Sequence, residues 1–302
     1  MIDRDARSVV GRYAPSPTGD LHFGSLVAAV ASYCSARAAG GHWLVRIDDL
    51  DRPRVVAGSA DRILKQLAAF GLRPDEKPIY QSMREQAYRA AITRLQNAGH
   101  AFVCGCTRRE AKAGTRGLEG PIYPGTCRTG LAPGRSPRSI RLRVPDERIE
   151  CADAVQGPIV QNLARDIGDF VIRRADGLTA YQLATVVDDD WQGITEVVRG
   201  ADLASSSPRQ AYLQRCLDMA PTGYLHVPTV VDAHGEKLGK STGALAIDAQ
   251  NAPELLRECL TLLGQAAPPE HAADDVQAIL GHGVAHWCVD AIPAQPTIAR
   301  RR

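Results

Sequence analysis

The sequence predicts an α/β fold in which a parallel sheet carries a loop-rich insertion and a short helical C-terminal region. Apolar strand-like and helical segments alternate from about residue 9 to residue 95, which is typical of parallel strands joined by crossover helices. Glycine, proline, arginine and cysteine then dominate from 104 to about 137, and an amphipathic helix follows Asn251. We expect four segments: a first half of the sheet domain (1–98), an insertion (99–165), a second half (166–245) and a C-terminal region (246–302).

The first elements form a strand–loop–helix–strand unit. Residues 8–11 are predicted to form an apolar strand, and prolines and a glycine in the stretch RYAPSPTGDLHFGSL (12–26) prevent regular structure. Apolar residues then recur at helical spacing until Gly40 and Gly41, and residues 43–47 form a second strand. Because a helix N-terminus offers unpaired N–H groups and partial positive charge, the helix start near His22 is predicted to bind an anion.

The remaining elements follow from the hydrophobic pattern. The last helix is expected to bury Leu255, Leu256, Cys259, Leu260 and Leu263. The elements expected in order are helices over 62–70 and 84–97, a strand over 140–144, a hairpin turning at 176–177, a helix from 181, a strand ending at 198, a strand over 227–231 and a helix over 251–263.

The composition is that of a soluble globular protein, with 44% hydrophobic and 23% charged residues. A net charge of +2 gives no general electrostatic attraction to nucleic acid, although the 36 lysines and arginines can still cluster. The N-terminal residues contain no apolar segment typical of a signal peptide, and no apolar run approaches the ~20 residues that span a bilayer. We expect a cytoplasmic monomer without a membrane partner.

The loop GEKLGKS (235–241) has three residues between its glycines, one fewer than a phosphate-binding P-loop requires. The alternative is a flexible loop in which Lys237 and Lys240 close on a polyphosphate as point charges. Taken alone, the loop would be interpreted as a solvated basic turn.

The early HFGS (22–25) and the late KLGKS (237–241) resemble the two signature motifs of class I aminoacyl-tRNA synthetases, whose usual forms are His-Ile-Gly-His and Lys-Met-Ser-Lys-Ser. Gly239 stands where the second motif usually has serine. The stretch 12–26, LVRIDDLDRPR (44–54) and AYQLATVVDD with GITEVVRGADL (180–203) resemble the glutamyl branch. The resemblance covers most of residues 9–245. It implies a Rossmann-type catalytic domain and an ATP-dependent ligase that activates L-glutamate.

The resemblance also implies roles for the residues of the two motifs. His22, Lys237 and Lys240 would be catalytic, and His22, Gly24, Ser25 and Lys240 would bind ATP, which arrives with Mg²⁺. The amino-acid carboxylate is already an adequate nucleophile, so positioning and charge stabilisation dominate over acid–base catalysis. Without the lysine loop, a histidine before a helix would more often be a cap.

Glutamate has two carboxylates and one ammonium, so its site needs fixed cations and a fixed anion. Arg12 and Arg199 suit the carboxylates because a guanidinium binds one bidentately, and Tyr181 can add a hydroxyl contact. Asp48 stands where the family usually has a glutamate for the α-ammonium, so that contact runs through Asp48, through Asp49 or through water; a solvated acidic loop end is the alternative. The resemblance adds Tyr13, Ala14, Pro15 and Ser16 to the glutamate site.

Three of the eight cysteines cluster, at positions 104, 106 and 127, with a spacing suited to zinc. The resemblance implies that Tyr123 is the fourth ligand of a structural site, and His100 or water is the alternative. A decayed site would leave Cys127 as an ordinary buried thiol. The five scattered cysteines are expected to be small buried hydrophobes: Cys34, Cys151, Cys216, Cys259 and Cys288.

The acceptor is implied by chain length and by the cysteine–tyrosine pattern, both of which resemble the glutamyl-queuosine branch. Of the 302 residues, 61 follow Ser241, too few for the anticodon-reading region of ordinary glutamyl-tRNA synthetases. The resemblance implies tRNA-independent activation of glutamate and its transfer to queuosine at the wobble position of tRNA(Asp), in a single-stranded loop of the kind that proteins read in RNA.

Three other functions remain open from the sequence: a truncated or discriminating glutamyl-tRNA synthetase that charges a 3′ end, a nucleotidyltransferase with a similar helix start, and a non-catalytic RNA-binding protein. Three basic stretches are candidate RNA contacts: CTRRE (106–110), RSPRSIRLR (135–143) and RRADG (173–177). A solvated basic face explains each of them equally well.

Overall fold

The computed structural model describes residues 8–238, 246–269 and 274–300. The strands are β1 (Val10–Tyr13), β2 (His42–Ile47), β3 (Ile79–Tyr80), β4 (Ala101–Cys104), β5 (Arg116–Gly117), β6 (Gly120–Pro121), β7 (Ser139–Leu142), β8 (Arg148–Cys151), β9 (Ile159–Asn162), β10 (Val171–Arg173), β11 (Glu196–Gly200), β12 (Gly223–Val227), β13 (Thr229–Val231) and β14 (Thr297–Ala299). The helices are α1 (Phe23–Ala38), α2 (Ser59–Ala69), α3 (Glu85–Asn97), α4 (Arg108–Ala111), α5 (Leu163–Asp166), α6 (Tyr181–Trp191), α7 (Ser207–Cys216), α8 (Ala252–Leu262) and α9 (Val276–Ala285).

The central sheet has five parallel strands in the order β12-β11-β1-β2-β3. Its middle strands are buried along most of their length, which explains their nearly continuous apolar sequence. The predicted α/β class and parallel sheet are confirmed. Because every strand runs the same way, the carboxyl ends of β1, β2, β11 and β12 lie at one edge, where ligands of open α/β sheets bind.

Helix α1 packs directly on this sheet, where Ser35 donates to Glu196 of β11 and Ser32 accepts from the Trp43 indole of β2. The helix ends just before Gly40, whose φ of 65° is a left-handed conformation that glycine adopts without strain. The approach of helix to strand is close, because a Cβ on Gly11 would lie 3.0 Å from the Cβ of Ala36. The predicted strand–loop–helix–strand unit is therefore confirmed.

A second sheet, antiparallel and in the order β10-β7-β4, joins two strands of the predicted insertion to β10, which follows it; β5–β6 and β8–β9 are separate hairpins. Its core combines Leu142 of β7 and Ile172 of β10 with Leu95 of α3, Leu183 of α6 and Leu213 of α7. The predicted hairpin turn is present, because Gly177 has a φ of 87° and the Arg174 N–H donates to the Leu178 carbonyl.

The predicted strand over 227–231 is in fact two strands. Pro228 has no N–H to donate, so β12 ends before it and β13 starts after it. Strand β13 pairs in parallel with β14, from Thr229 opposite Thr297 to Val231 opposite Ala299.

The C-terminal helices α8 and α9 pack on α1 as well as on each other. Leu256, Cys259 and Leu260 of α8 and Ile279 of α9 belong to the same core as α1. Leu255, which the pattern predicts to be buried, is only partly so, because it lies at the edge of the α8 face that turns toward α1.

Of the five scattered cysteines, four are buried as expected. Cys288 is exposed, because it lies on the surface turn between α9 and a 3₁₀ helix over Val289–Ala291. Within the described ranges, no helix is both long enough and apolar enough to cross a membrane.

Candidate active site and cysteine cluster

A cavity of about 1000 Å³ opens at the carboxyl edge of the central sheet, between the first turns of α1 and α6. It brings together residues that are far apart in the sequence. The predicted site residues that line it are Arg12, Tyr13, Ala14, Pro15, Ser16, His22, Gly24, Ser25, Asp48, Tyr181, Arg199 and Lys237. Lys240 lies outside the described residues.

Arg12 is directed from β1 toward α6. Its side chain is 4% exposed, and its Nε and Nη2 donate to the two carboxylate oxygens of Asp189 at 3.2 and 3.4 Å. Burial alone would raise the pKa of Asp189, but the charges of Arg12 and Arg46 outweigh it and hold that pKa below its usual value. Arg12 is therefore fixed by a charged partner while it lines the cavity.

Arg46 joins this network from the middle of the apolar strand β2. Its side chain is fully buried, its Nε donates to Asp48 at 2.8 Å, and its Nη1 donates to Asp189 at 2.6 Å. Sequence reasoning missed Arg46 and Asp189. The available signal was the charge itself, because an arginine inside a buried strand requires acidic partners nearby.

Asp48, rather than Asp49, faces the cavity. Asp49 turns away, since its two carboxylate oxygens accept from the backbone N–H and the hydroxyl of Ser82 at 2.7 and 2.6 Å. Burial raises the pKa of Asp48 to about 6, and the opposing effect of Arg46 only partly offsets it. Asp48 is thus a carboxylate held at the cavity wall, with a pKa raised to about 6.

Arg199, at the end of β11, is 6% exposed and has four fixed partners. Its Nε donates to Nε2 of His226 at 2.9 Å, and its Nη atoms donate to Ser207, Gln210 and, at 3.4 Å, the hydroxyl of Tyr181. The contact with Tyr181 joins the first residue of α6 to the cavity wall, as both side chains line the cavity.

His226 and Asp153 lie behind Arg199 and are both fully buried. The Nδ1 of His226 is 2.5 Å from Oδ2 of Asp153. Because a guanidinium only donates, Nε2 of His226 must accept, and the ring proton is therefore on Nδ1. Burial and the nearby Arg199 lower the pKa of His226 despite the contact with Asp153, which favours this neutral form. Sequence reasoning missed both residues; the only signal was a histidine within the apolar run YLHV (224–227).

His22 is the N-cap residue of α1. Its Nδ1 accepts from the Ser25 N–H at 3.3 Å, and its Nε2 lies 3.0 Å from the Ser25 hydroxyl. The capping role that the sequence left open is therefore present, at the wall of the same cavity. A Cβ on Gly24 would lie 3.6 Å from the Leu238 carbonyl, so the described part of the basic loop comes close to this helix end.

Lys237, at the start of the basic loop, forms an ion pair with Asp202. Both groups line the cavity, and the lysine side chain is 54% exposed. The loop thus brings a cation to the rim on the side of the α1 N-terminus.

The three clustered cysteines converge in the insertion, with their sulfur atoms within 4.8 Å of one another. The Tyr123 hydroxyl lies among them, 3.4 Å from Sγ of Cys104 and 3.6 Å from Sγ of Cys106, which is itself 3.6 Å from Sγ of Cys127. Within the part of the chain that the structure describes, this donor group contains only the cysteines, so His100 does not belong to it.

These distances fit a tetrahedral metal site. Zinc–sulfur bonds of about 2.3 Å place sulfur ligands about 3.8 Å apart, close to the observed spacing. Two guanidinium groups adjoin the ligands: Arg135 Nη1 is 3.7 Å from Sγ of Cys106, and Arg141 stacks 4.0 Å from the Tyr123 ring centroid. Burial would raise the pKa of Cys104, but hydrogen bonds with Tyr123, the Cys106 backbone and Arg141 lower it to about 7. The cluster can therefore hold a metal ion.

Comparison with known proteins gives one consistent result. Residues 8–273 match the family model of the catalytic domain of class I tRNA synthetases for E and Q. Among curated relatives, proteins named glutamyl-Q tRNA(Asp) synthetase are 49% identical in Thiobacillus denitrificans (96% of this chain, 97% of the relative) and 52% identical in Dechloromonas aromatica (95% and 97%). A third, from Pseudomonas aeruginosa, is 49% identical over 98% of this chain and 99% of the relative.

Among solved structures, a glutamate tRNA ligase from Elizabethkingia meningosepticum in complex with its amino acid matches with a TM-score of 0.80. The alignment covers 98% of this chain and 67% of that protein at 21% identity, which shows a shared fold. The predicted Rossmann-type architecture of class I synthetases is thereby confirmed.

Proposed function

The chain belongs to the glutamyl-Q tRNA(Asp) synthetase family of class I aminoacyl-tRNA synthetases, which are ligases, and we propose that it activates L-glutamate with ATP without tRNA and transfers it to queuosine at the wobble position of tRNA(Asp). The relatives carry that activity in their names and match this chain over nearly their whole length. The cavity at the edge of the central sheet supplies the charged groups that such a reaction needs.

The observation that carries the proposal is the pairing of charges in the cavity. Glutamate has two carboxylates and one ammonium, and the cavity wall has two buried guanidinium groups, Arg12 and Arg199, and one buried carboxylate, Asp48. Each is oriented by partners behind it, so a bound amino acid would meet preorganised charges. Tyr181 and the backbone of Tyr13, Ala14, Pro15 and Ser16 complete the proposed glutamate site.

Activation joins a carboxylate oxygen of glutamate to the α-phosphorus of ATP while the bond to pyrophosphate breaks, and pyrophosphate leaves with the bonding electrons. The first turn of α1, with His22, Gly24 and Ser25, would receive the phosphates through backbone N–H groups and the helix dipole. Lys237 and Lys240 would neutralise charge on pyrophosphate, and Mg²⁺ would accompany ATP. Lys237 must then leave Asp202, its ion-pair partner in this structure.

We also propose that the cysteine cluster holds a structural zinc ion through Cys104, Cys106, Cys127 and Tyr123. Four protein donors would close the coordination shell and leave no position for substrate, as in structural rather than catalytic sites. When bound, the ion supplies a cross-link between the end of β4 and the loop that carries Tyr123 and Cys127.

The acceptor is tested by transfer of labelled glutamate, with ATP, to tRNA from cells that make queuosine and from cells that do not. We expect label only on the queuosine-containing tRNA, and glutamate-dependent exchange of pyrophosphate into ATP without tRNA. Equal label on both pools would contradict the proposal and support the second candidate, a glutamyl-tRNA synthetase that charges a 3′ end.

A further inference from the structure

One side chain of the insertion reaches the start of helix α7. Glu119 lies in the turn between β5 and β6. Its Oε1 accepts from the Ser205 hydroxyl at 2.8 Å and from Nη2 of Arg209 at 2.6 Å, and its Oε2 accepts from Nη1 of Arg209 at 2.8 Å. Glu119 thus makes a two-pronged ion pair with an arginine 90 positions later in the chain.

The hairpin that carries Glu119 is itself fixed against α5. The Leu118 N–H donates to the Asp166 carbonyl at 2.9 Å. A Cβ on Gly117 would lie 2.3 Å from the same carbonyl oxygen, so this close approach is open only to glycine. The turn therefore presents Glu119 from a defined position rather than from a loose loop.

Arg209 needs the carboxylate that Glu119 supplies. It is the third residue of α7, in a first turn that contains no acidic residue, and the helix dipole disfavours a cation there. Its side chain is 10% exposed, and its buried Nε has no hydrogen-bond partner among the described residues. Loss of the carboxylate would leave a buried charge without compensation at the start of the helix.

The same turn of α7 holds Arg199, which lines the candidate active site. Ser207 and Gln210 lie on either side of Arg209 in the helix. The Ser207 hydroxyl accepts from Nη2 of Arg199 and the Gln210 side-chain oxygen accepts from its Nη1, both at 2.9 Å. A shift of this turn would therefore move two of the acceptors that orient the guanidinium.

Ser206 ties the turn to α6 as well. Its hydroxyl accepts from Nε2 of Gln182 at 3.0 Å and lies 3.5 Å from Nη2 of Arg209. Gln182 follows Tyr181, whose hydroxyl accepts from Arg199 at 3.4 Å. Both members of the Arg199–Tyr181 contact are thus supported by the segment that Glu119 holds.

We propose that Glu119 is a positioning residue for the amino-acid site: by pairing with Arg209 it fixes the first turn of α7 and, through Ser207 and Gln210, the guanidinium of Arg199. Glu119 acts from outside, since it does not line the candidate active-site cavity. The inference rests on the proposed function for the identity of the ligand that Arg199 binds, which is glutamate.

Two measurements on Glu119→Ala test this role. In glutamate-dependent exchange of pyrophosphate into ATP, the KM for glutamate should rise about tenfold, the effect of one lost hydrogen bond to a charged group, while kcat and the KM for ATP stay within about twofold. In NMR spectra without substrate, the Nε–H signal of Arg199, assigned by its loss in Arg199→Lys, should shift or broaden, because this N–H donates to His226 in the ordered site.

Further variants separate positioning from folding. Glu119→Gln keeps the shape of the side chain without its charge and should raise the KM for glutamate in the same way, even if alanine destabilises the hairpin. In an Arg209→Met background, Glu119→Ala should change this KM by less than about twofold, because the charge that it leaves uncompensated is gone. Glu150→Ala is the matched control, since Glu150 is also exposed and in the insertion but does not line the cavity; it should match the unmodified protein.

A KM for glutamate and an Arg199 signal equal to those of Glu150→Ala would overturn the inference. Equal increases in the KM values for glutamate and ATP would also overturn it, because they indicate general loosening of the fold. An unmodified protein without glutamate-dependent exchange would refute the proposed function instead, and the Arg199 signal, which needs no substrate, would still decide whether Glu119 positions that guanidinium.

Discussion

At the residue scale, Asp153, His226 and Arg199 form a directional chain that ends at the candidate active site. Asp153 accepts from Nδ1 of His226, and Nε2 of His226 accepts from Arg199. Asp153 is itself held by the backbone N–H groups of Val155 and Gln156. The chain fixes one histidine tautomer and, through it, the rotation of the guanidinium that faces the cavity. His226 is therefore a positioning residue for Arg199.

Replacing His226 tests this role. His226→Leu removes the acceptor of the Arg199 Nε, and since hydrogen bonds to charged groups are worth about 1.5–3 kcal/mol, the KM for glutamate should rise about tenfold to a hundredfold. The KM for ATP should stay within about twofold. His226→Gln keeps an acceptor oxygen and should recover most of the loss. Equal increases in both KM values, or no difference between leucine and glutamine, would point to a general packing role instead.

Asp48 should make glutamate binding depend on pH. Its pKa is raised to about 6 by burial, and only the ionised form attracts an ammonium. Ionisation rises about tenfold between pH 5 and pH 7, so the KM for glutamate in pyrophosphate exchange should fall by about that factor. Asp48→Asn should have a high KM for glutamate that does not change between pH 5 and pH 7. A step of equal size in Asp48→Asn would assign the titration to another group.

The raised pKa of Asp48 also predicts the direction in which stability changes with pH. The folded pKa of about 6 lies above the ordinary value of 3.8, so the native state binds more protons between these values. The contribution of Asp48 to the free energy of unfolding is therefore fully present below about pH 4 and lost as pH rises through 6. Urea unfolding of the wild type and Asp48→Asn at pH 4 and pH 7 measures the difference, and an opposite trend would contradict the shift.

The sequence predicted the site residues that lie within a recognisable motif. It did not predict the residues that hold them in place from distant parts of the chain. Arg12, Arg199 and Asp48 follow from local stretches that resemble a family. Their supports do not, because Asp189 is 177 positions from Arg12 and Asp153 is 73 positions from His226. A buried charge in a strand indicates that a partner exists, but only the packing of strands and helices determines which one.

At the element scale, the cysteine cluster depends on two short segments. Cys104 ends β4, and Cys106 precedes α4, which starts with a capping box between Thr107 and Glu110. Tyr123 and Cys127 come from the later loop, where the Cys127 N–H donates to the tyrosine hydroxyl at 2.8 Å. The turn geometry and the cap thus bring the donors of the two segments together.

Cys127→Ser should lose metal and stability together. Because three sulfur donors define the site, removal of one should reduce bound zinc from about one ion per chain to a small fraction, as measured by elemental analysis. The thermal unfolding midpoint should fall by several degrees, and chelation of zinc should have the same effect on the wild type. Cys288→Ser is the control, because that cysteine is exposed and outside the cluster. Unchanged zinc in Cys127→Ser would refute the site.

Element types were more predictable than element ends. Strong periodicity located α2, α3 and α6 within a few residues, whereas the short hairpin β8–β9 and helix α7 carry weak patterns and were missed. Helix α7 has a weak pattern because most of its residues, polar ones included, are buried. Pro228 could have indicated a break between β12 and β13, since a proline inside an apparent strand argues against continuity.

At the scale of the whole molecule, the C-terminal segment is part of the core that supports the candidate active site. Helices α8 and α9 cover the face of α1 that the sheet leaves open, and β14 pairs with β13. Arg300 forms a two-pronged ion pair with Glu258 at 2.7 Å and stacks 4.0 Å from the Phe23 ring at the start of α1. The sequence predicted a helical C-terminal region but not that its end pairs with the sheet domain. Strand β14 has no strand pattern of its own and is recognised only by its pairing with β13.

This attachment predicts one cooperative unfolding transition for the sheet domain and its C-terminal segment. Leu256→Ala, at a side chain that is 0% exposed, should cost about 2–5 kcal/mol in free energy of unfolding because it leaves a cavity between α8 and α1. The midpoint in urea should shift for circular dichroism and for glutamate-dependent pyrophosphate exchange together, since the helix that starts at His22 loses its packing. Leu118→Ala, at a side chain that is 69% exposed, should change stability by less than about 0.5 kcal/mol. If the C-terminal segment were an independent unit, Leu256→Ala would instead produce an early partial transition and leave exchange activity intact up to the wild-type midpoint.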